Sequence, residues 1–175
     1  WDAGGRLSMN EDFDSFGGKV CSLEKLAEIV EQDKKSGKRV IFANGCFDLL
    51  HAGHIRYLRE ARSLGDVLVV AVNSDASARR LKGEGRPYTS QSERLEILSA
   101  LDMIDYIVMF EENDVSKLLV TLKPHVQAKG TDYTTDTVPE RETVKSYGGE
   151  VAICGDPKDH SSTEIGSRSA HPEAR

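Results

Sequence analysis

Val40-Ile41-Phe42-Ala43-Asn44-Gly45-Cys46-Phe47-Asp48-Leu49-Leu50-His51-Ala52-Gly53-His54 is the stretch that decides how this chain folds. Its first four residues form an apolar run too short for a helix and rich in strand formers. Gly45 and Gly53 bracket a loop, and Ile55 to Leu64 then reads as a helix stopped by Gly65. A strand, a glycine-bearing loop and a helix therefore follow one another. Glycines let backbone come close to a ligand, and a helix start aims free amides and its positive dipole end at the loop. His51 and His54 stand three apart at that start, so both imidazoles can face one space. Amides and two imidazole donors make a receptor for a polyphosphate.

The same alternation extends in both directions. Upstream, Ser22 can cap a helix whose apolar positions Leu23, Leu26, Ala27 and Val30 recur at helical spacing, ending near Gly37. Downstream, Val67 to Val72 is apolar at every position, as in a parallel strand covered on both faces. A polar loop from Asn73 to Thr89 leads to a helix over 90–101, a strand over 106–110 and a helix over 114–123. A strand over 125–128, a helix over 138–147 and a strand over 150–153 complete the series. The fold class is α/β, a Rossmann-like open parallel sheet with helices on both faces. One domain over 19–166 is expected, with tails at 1–18 and 167–175; the first is acidic, glycine-containing and aperiodic.

Composition narrows the partners. A net charge of −6 argues against a protein that coats nucleic acid. No apolar run approaches the roughly 20 residues of a membrane span. Cys21, Cys46 and Cys154 are odd in number and form no CxxC pair, which suits a reducing cytoplasm. Paired histidines also open zinc sites, but these need a third ligand with matching spacing. Only His125 and His160 are candidates, so no metal site is expected.

The loop motif resembles a known family. Gly45-Cys46-Phe47-Asp48 followed by His51-Ala52-Gly53-His54 is similar to the GxFD and HxGH signatures of the cytidylyltransferase-like nucleotidyltransferases. Ser161-Ser162-Thr163-Glu164-Ile165-Gly166 resembles a second signature, S-[ST]-T-x-x-I, with its isoleucine two places after the threonine. The resemblance runs from about Arg39 to Ile165. Within the family the chain is most similar to adenylyltransferases acting on D-glycero-D-manno-heptose 1-phosphate. That similarity rests on Asn73-Ser74-Asp75-Ala76-Ser77, on Leu81-Lys82-Gly83-Glu84-Gly85-Arg86-Pro87 and on Lys129-Gly130-Thr131-Asp132-Tyr133. It implies that ATP and heptose 1-phosphate give ADP-heptose and pyrophosphate, for lipopolysaccharide cores or surface glycans. It also implies Mg2+ accompanying the nucleotide, a homodimer, and a sugar kinase, separate or fused, in the same pathway.

By the same resemblance His51, His54 and Lys82 are catalytic. Gly45, Cys46, Phe47, Asp48, His51, His54, Gly130, Asp132, Ser161, Ser162 and Thr163 bind the nucleotide, and Lys82, Arg86 and Arg94 the substrate phosphate. Lys158 and His160 are weaker phosphate candidates. The bland alternatives are an ordinary helix cap at Ser161–Thr163, a solvated face at Arg79 and Arg80, and packing at Tyr133. A sugar phosphate is already largely ionised near neutral pH, its second pKa being about 6, so no general base is required. The reaction needs in-line positioning and neutralised charge, and imidazoles of the right tautomer donate to phosphate oxygens. One departure is Thr131, where the family more often carries glycine.

Four rivals remain. A cytidylyltransferase for glycerol 3-phosphate would use the same logic with another base. Pantetheine-phosphate adenylyltransferases usually begin the motif with threonine instead of His51, and class I aminoacyl-tRNA synthetases need a longer chain. A non-catalytic nucleotide-binding regulatory domain has no need of both His51 and His54.

Overall fold

A computed structural model describes residues 16–157. The Ser22 hydroxyl accepts from the Lys25 N–H at 3.3 Å and opens α1 (Leu23–Lys35). The chain continues through β1 (Val40–Gly45), α2 (Ala52–Ser63), β2 (Val67–Asn73), α3 (Asp75–Lys82), α4 (Gln91–Ser99) and β3 (Tyr106–Phe110). It ends with α5 (Ser116–Leu122), β4 (Val126–Gly130), α6 (Arg141–Ser146) and β5 (Glu150–Cys154). The strands form one five-stranded sheet in the order β3-β2-β1-β4-β5, every neighbour parallel. The chain builds outward from β1 on one side, then crosses to β4 on the other. Between β1 and β4 the strand order reverses, which is where open α/β sheets bind ligands.

Strand alternation sends side chains to two separate cores. Ile41, Ala43, Leu68, Val70, Val72 and Ile107 point to one face, against Leu58 and Ala61 of α2 and Leu95 and Leu98 of α4. Val40, Phe42, Val67, Val69, Ala71 and Val108 point to the other. There they meet Leu26 and Val30 of α1, Leu118, Leu119 and Leu122 of α5, and Val144 of α6. Every residue of β2 is buried, as its unbroken apolar run requires.

The elements depart from the sequence expectation in three places. The polar loop expected over 73–89 contains α3, capped by the Ser74 hydroxyl on the Ser77 N–H at 3.1 Å. Strand β4 extends past Ala128 to Gly130, and α6 begins after Pro139 rather than at Val138. Packed chain also reaches into the expected tail: Phe16 lies against the first core. Residues 19–21 run beside β3, with Cys21 N–H donating to Ile107 O at 2.9 Å and Ile107 N–H to Lys19 O at 2.8 Å. No helix among the described residues is long and apolar enough to cross a membrane.

His125 lies just before β4, and its Nδ1 accepts the Val40 N–H at 2.9 Å. Burial, then the charges of Lys34 and Arg39, hold this imidazole below its ordinary value. The unfolded chain takes up the proton near about pH 6.5, the folded chain only at lower pH. The neutral ring's contribution to stability is therefore complete above about pH 6.5 and is lost as the pH falls through the window below it. Urea midpoints are expected to drop between about pH 7.5 and 5.5, with a shallower drop in His125→Asn. An unaltered slope in the variant would place the pH dependence elsewhere.

Candidate active site

The loops leaving the carboxyl ends of the strands enclose a cavity of about 370 Å³, within the usual range for small-molecule sites. Its floor begins with the β1–α2 loop. Phe47 and Leu49 both take a left-handed backbone, at φ 50°, a conformation costly for side-chain-bearing residues and enriched at functional loops. The loop is held by Asp48, which is buried. Its carboxylate accepts from Arg86 Nε at 2.8 Å, from the backbone N–H of Tyr88 at 2.9 Å and of Thr89 at 3.1 Å, and from Thr89 Oγ1 at 3.1 Å. The Arg86 guanidinium also stacks 4.4 Å over the Tyr88 ring. Asp48 thus ties the first loop to the 86–89 segment.

His51 is the N-cap of α2 and His54 lies in its first turn. The two rings stack at 3.9 Å between centroids, and Phe47 approaches His54 at 5.5 Å. The His51 N–H donates to His54 Nδ1 at 3.3 Å. With Nδ1 accepting, the neutral His54 ring carries its proton on Nε2. Gly53 makes room for this stack, since a Cβ there would lie 3.0 Å from two atoms of the His51 ring.

Among the described residues four cations line the cavity: Arg56, Lys82, Arg86 and Lys129. Arg86 with Asp48 and Lys129 with Glu140 (3.3 Å) are buried ion pairs. Gln127 Nε2 also donates to Glu140 at 3.3 Å, and Lys129 lies 5.2 Å over the Tyr133 ring. Lys82, at the end of α3, makes no ion pair among the described residues. Arg56 pairs with Asp156 at 3.1 Å, and these side chains are 45% and 57% exposed. Removing one partner of a buried pair costs about 3–5 kcal/mol, whereas an exposed pair contributes about 1 kcal/mol or less.

Arg94, expected at the substrate phosphate, lies in the interior. Its side chain is fully buried and is absent from the cavity wall. It donates to Cys46 O at 2.6 Å, Asn73 O at 2.7 Å and Asp75 Oδ1 at 2.8 Å, bracing the ends of β1 and β2 against α3. The Cys46 thiol lies on the wall, pushed up by burial against the pull of Lys82 and Arg94, so it stays protonated. Gly45, Phe47, Gly130, Asp132 and Tyr133 also line the cavity. Thr131 donates its hydroxyl to Asp156 O at 2.9 Å and links the loops after β4 and β5.

His125 binds Val40 at the opposite end of the sheet, which removes it as a third partner for His51 and His54. Lys158, His160, Ser161, Ser162 and Thr163 lie outside the described residues. Among the described residues no three His, Cys, Asp or Glu side chains gather as a metal cluster. Arg56 and Asp156 also line the cavity and were not among the expected site residues. Arg56 lies two places beyond His54, but its carboxylate partner comes from the far end of the chain.

The match to the cytidylyltransferase-like family model covers residues 42–168. The chain is 54% identical over 147 residues to bifunctional protein HldE of Pelobacter propionicus, and 55% identical over 147 residues to that of Geobacter sulfurreducens. Each match takes in 84% of this chain and 30% of the relative, so the chain spans less than a third of the length of these curated relatives. Among solved structures it resembles a lipopolysaccharide core biosynthesis protein from Thermoplasma volcanium, with TM-score 0.61 and 31% identity. That match covers 70% of this chain and all of the other. A pantoate-beta-alanine ligase from Francisella tularensis, at 17% identity and TM-score 0.58 over 84% of this chain and 75% of its own, shares the fold. With the motif loop, the parallel sheet and the family match in agreement, the chain belongs to the cytidylyltransferase-like family and is a nucleotidyltransferase.

Proposed function

We propose that this nucleotidyltransferase transfers AMP from ATP to D-glycero-D-manno-heptose 1-phosphate, giving ADP-heptose and pyrophosphate. The observation that carries this reading is the stacked His51–His54 pair at the start of α2, sharing one cavity with Lys82. The heptose is supported by the three motif runs and by likeness to a lipopolysaccharide core biosynthesis protein. A sugar phosphate oxygen attacks the α-phosphorus, the bond to the bridging oxygen breaks, and its electron pair leaves with pyrophosphate. His51 and His54 donate hydrogen bonds to phosphate oxygens and take no proton. Lys82 neutralises charge on the phosphates, Asp132 and Gly130 lie near the base and ribose, and Ser161, Ser162 and Thr163 meet the outer phosphates.

Magnesium enters as part of the ATP substrate, held by phosphates and water. The reaction runs in the cytoplasm, beside a sugar kinase that supplies the 1-phosphate; the relatives named bifunctional favour a fused arrangement. The test is pyrophosphate release with ATP or CTP, each paired with heptose 1-phosphate or glycerol 3-phosphate. Turnover with ATP and heptose 1-phosphate is expected. Turnover only with CTP makes the chain a cytidylyltransferase, and none with any pair favours a regulatory nucleotide-binding domain.

A further inference from the structure

The four cations on the cavity wall are not equally available to a ligand. Arg86 and Lys129 are each committed to a buried carboxylate, so an incoming anion would have to leave a charge unpaired in the interior. Lys82 has no such partner among the described residues. Arg56 has one, Asp156, but both side chains are about half exposed. Arg56 rises from the same helix that opens with His51 and His54, and Asp156 stands where the chain leaves β5 toward residues 161–163.

We propose that Arg56 is a phosphate-binding residue of this site, meeting the triphosphate of the incoming nucleotide together with Lys82, and that Asp156 holds its guanidinium until then. This rests on the reading that the cavity receives a nucleoside triphosphate. A guanidinium presents a planar fork of donors that matches phosphate oxygens two at a time. A triphosphate brings several negative charges where Asp156 offers one, solvated and screened, so the exchange favours the nucleotide. Asp156 does not drift from the rim when displaced. Thr131 Oγ1 donates to its carbonyl at 2.9 Å, and the Gly155 N–H donates to Glu60 Oε2 at 2.6 Å. Its carboxylate therefore stays beside the entering polyphosphate and opposes it. Arg56 and Asp156 act with opposite sign.

Calorimetric binding of inorganic tripolyphosphate to the full chain tests this without any reaction. Arg56→Ala is expected to weaken binding about tenfold to a hundredfold, the loss of one charge-assisted contact, and Arg56→Lys to weaken it less. Asp156→Asn is expected to bind at least as tightly as the unaltered chain. A pair with only a structural role would move both variants in the same direction. Equal weakening in Arg56→Ala and Asp156→Asn, unchanged binding in Arg56→Ala, or no binding by the unaltered chain overturns the proposal. The probe has neither base nor sugar. Arg56-dependent binding without turnover of ATP and heptose 1-phosphate would therefore reject the substrate reading and keep Arg56 in the phosphate site.

Discussion

His54→Ala is expected to lower the rate of pyrophosphate release by about a hundredfold to a thousandfold, the usual cost of removing one preorganised donor at a reacting phosphate or oxyanion. The folded protein is expected to survive the change. His54 is partly exposed on the cavity wall, and its Nδ1 accepts the His51 N–H at a long 3.3 Å. Losing that cap interaction costs about 1 kcal/mol. What is lost is the Nε2–H donor and the ring against which His51 stacks. His54→Gln retains an amide donor and is expected to recover part of the rate. Turnover and thermal midpoint measured on the same samples separate the two effects. Near-normal turnover in His54→Ala would mean that the centre of the reaction lies elsewhere in the cavity.

Asp48→Ala is expected to cost about 3–5 kcal/mol of stability, the range for stripping the partner from a buried ion pair. Arg86 would keep its charge with only 8% of its side chain exposed, and the amides of Tyr88 and Thr89 would lose their acceptor. Urea denaturation measures the loss. Asp48→Ala combined with Arg86→Met removes both charges and is expected to be less destabilised than Asp48→Ala alone; equal loss in both would deny the pair its structural role. The same carboxylate has a pH signature. Burial pushes it up, but the amides of Thr89 and Tyr88, the Thr89 hydroxyl and Arg86 together hold it below the ordinary carboxylate value. Its contribution is present above the unfolded value of about 3.9 and disappears as the pH falls through the lower folded one. Acid unfolding in this range is therefore expected to be steeper in the unaltered chain than in Asp48→Ala.

How far these features could be read in advance depended on where their partners lie. Strand β2 was plain because each of its seven residues is buried. The histidine loop was plain because its spacing and its setting between strand and helix are local. Helix α3 was not, because it buries only Ser77 and Ala78 and so carries no apolar period. Arg94 was expected at the substrate phosphate because the family resemblance puts an arginine on this helix. Two of its three partners are the backbone carbonyls of Cys46 and Asn73, which no side-chain pattern records. The Asp48–Arg86 and Arg56–Asp156 pairs join distant parts of the chain, and only the folded sheet brings them together.

The segment at residues 19–21 has a consequence for solubility. It occupies the free side of β3, the outermost strand at one end of the sheet, where unpaired N–H and C=O groups would otherwise face water. An open strand of this kind is a template onto which a second chain can add, the starting point of aggregation. Tyr106 to Phe110 is rich in β-formers and carries no charge, the composition such templates favour. A shortened version beginning at Leu23 would keep the whole cavity wall and uncover this strand. Its first failure would be association between molecules, before any loss of the nucleotide site.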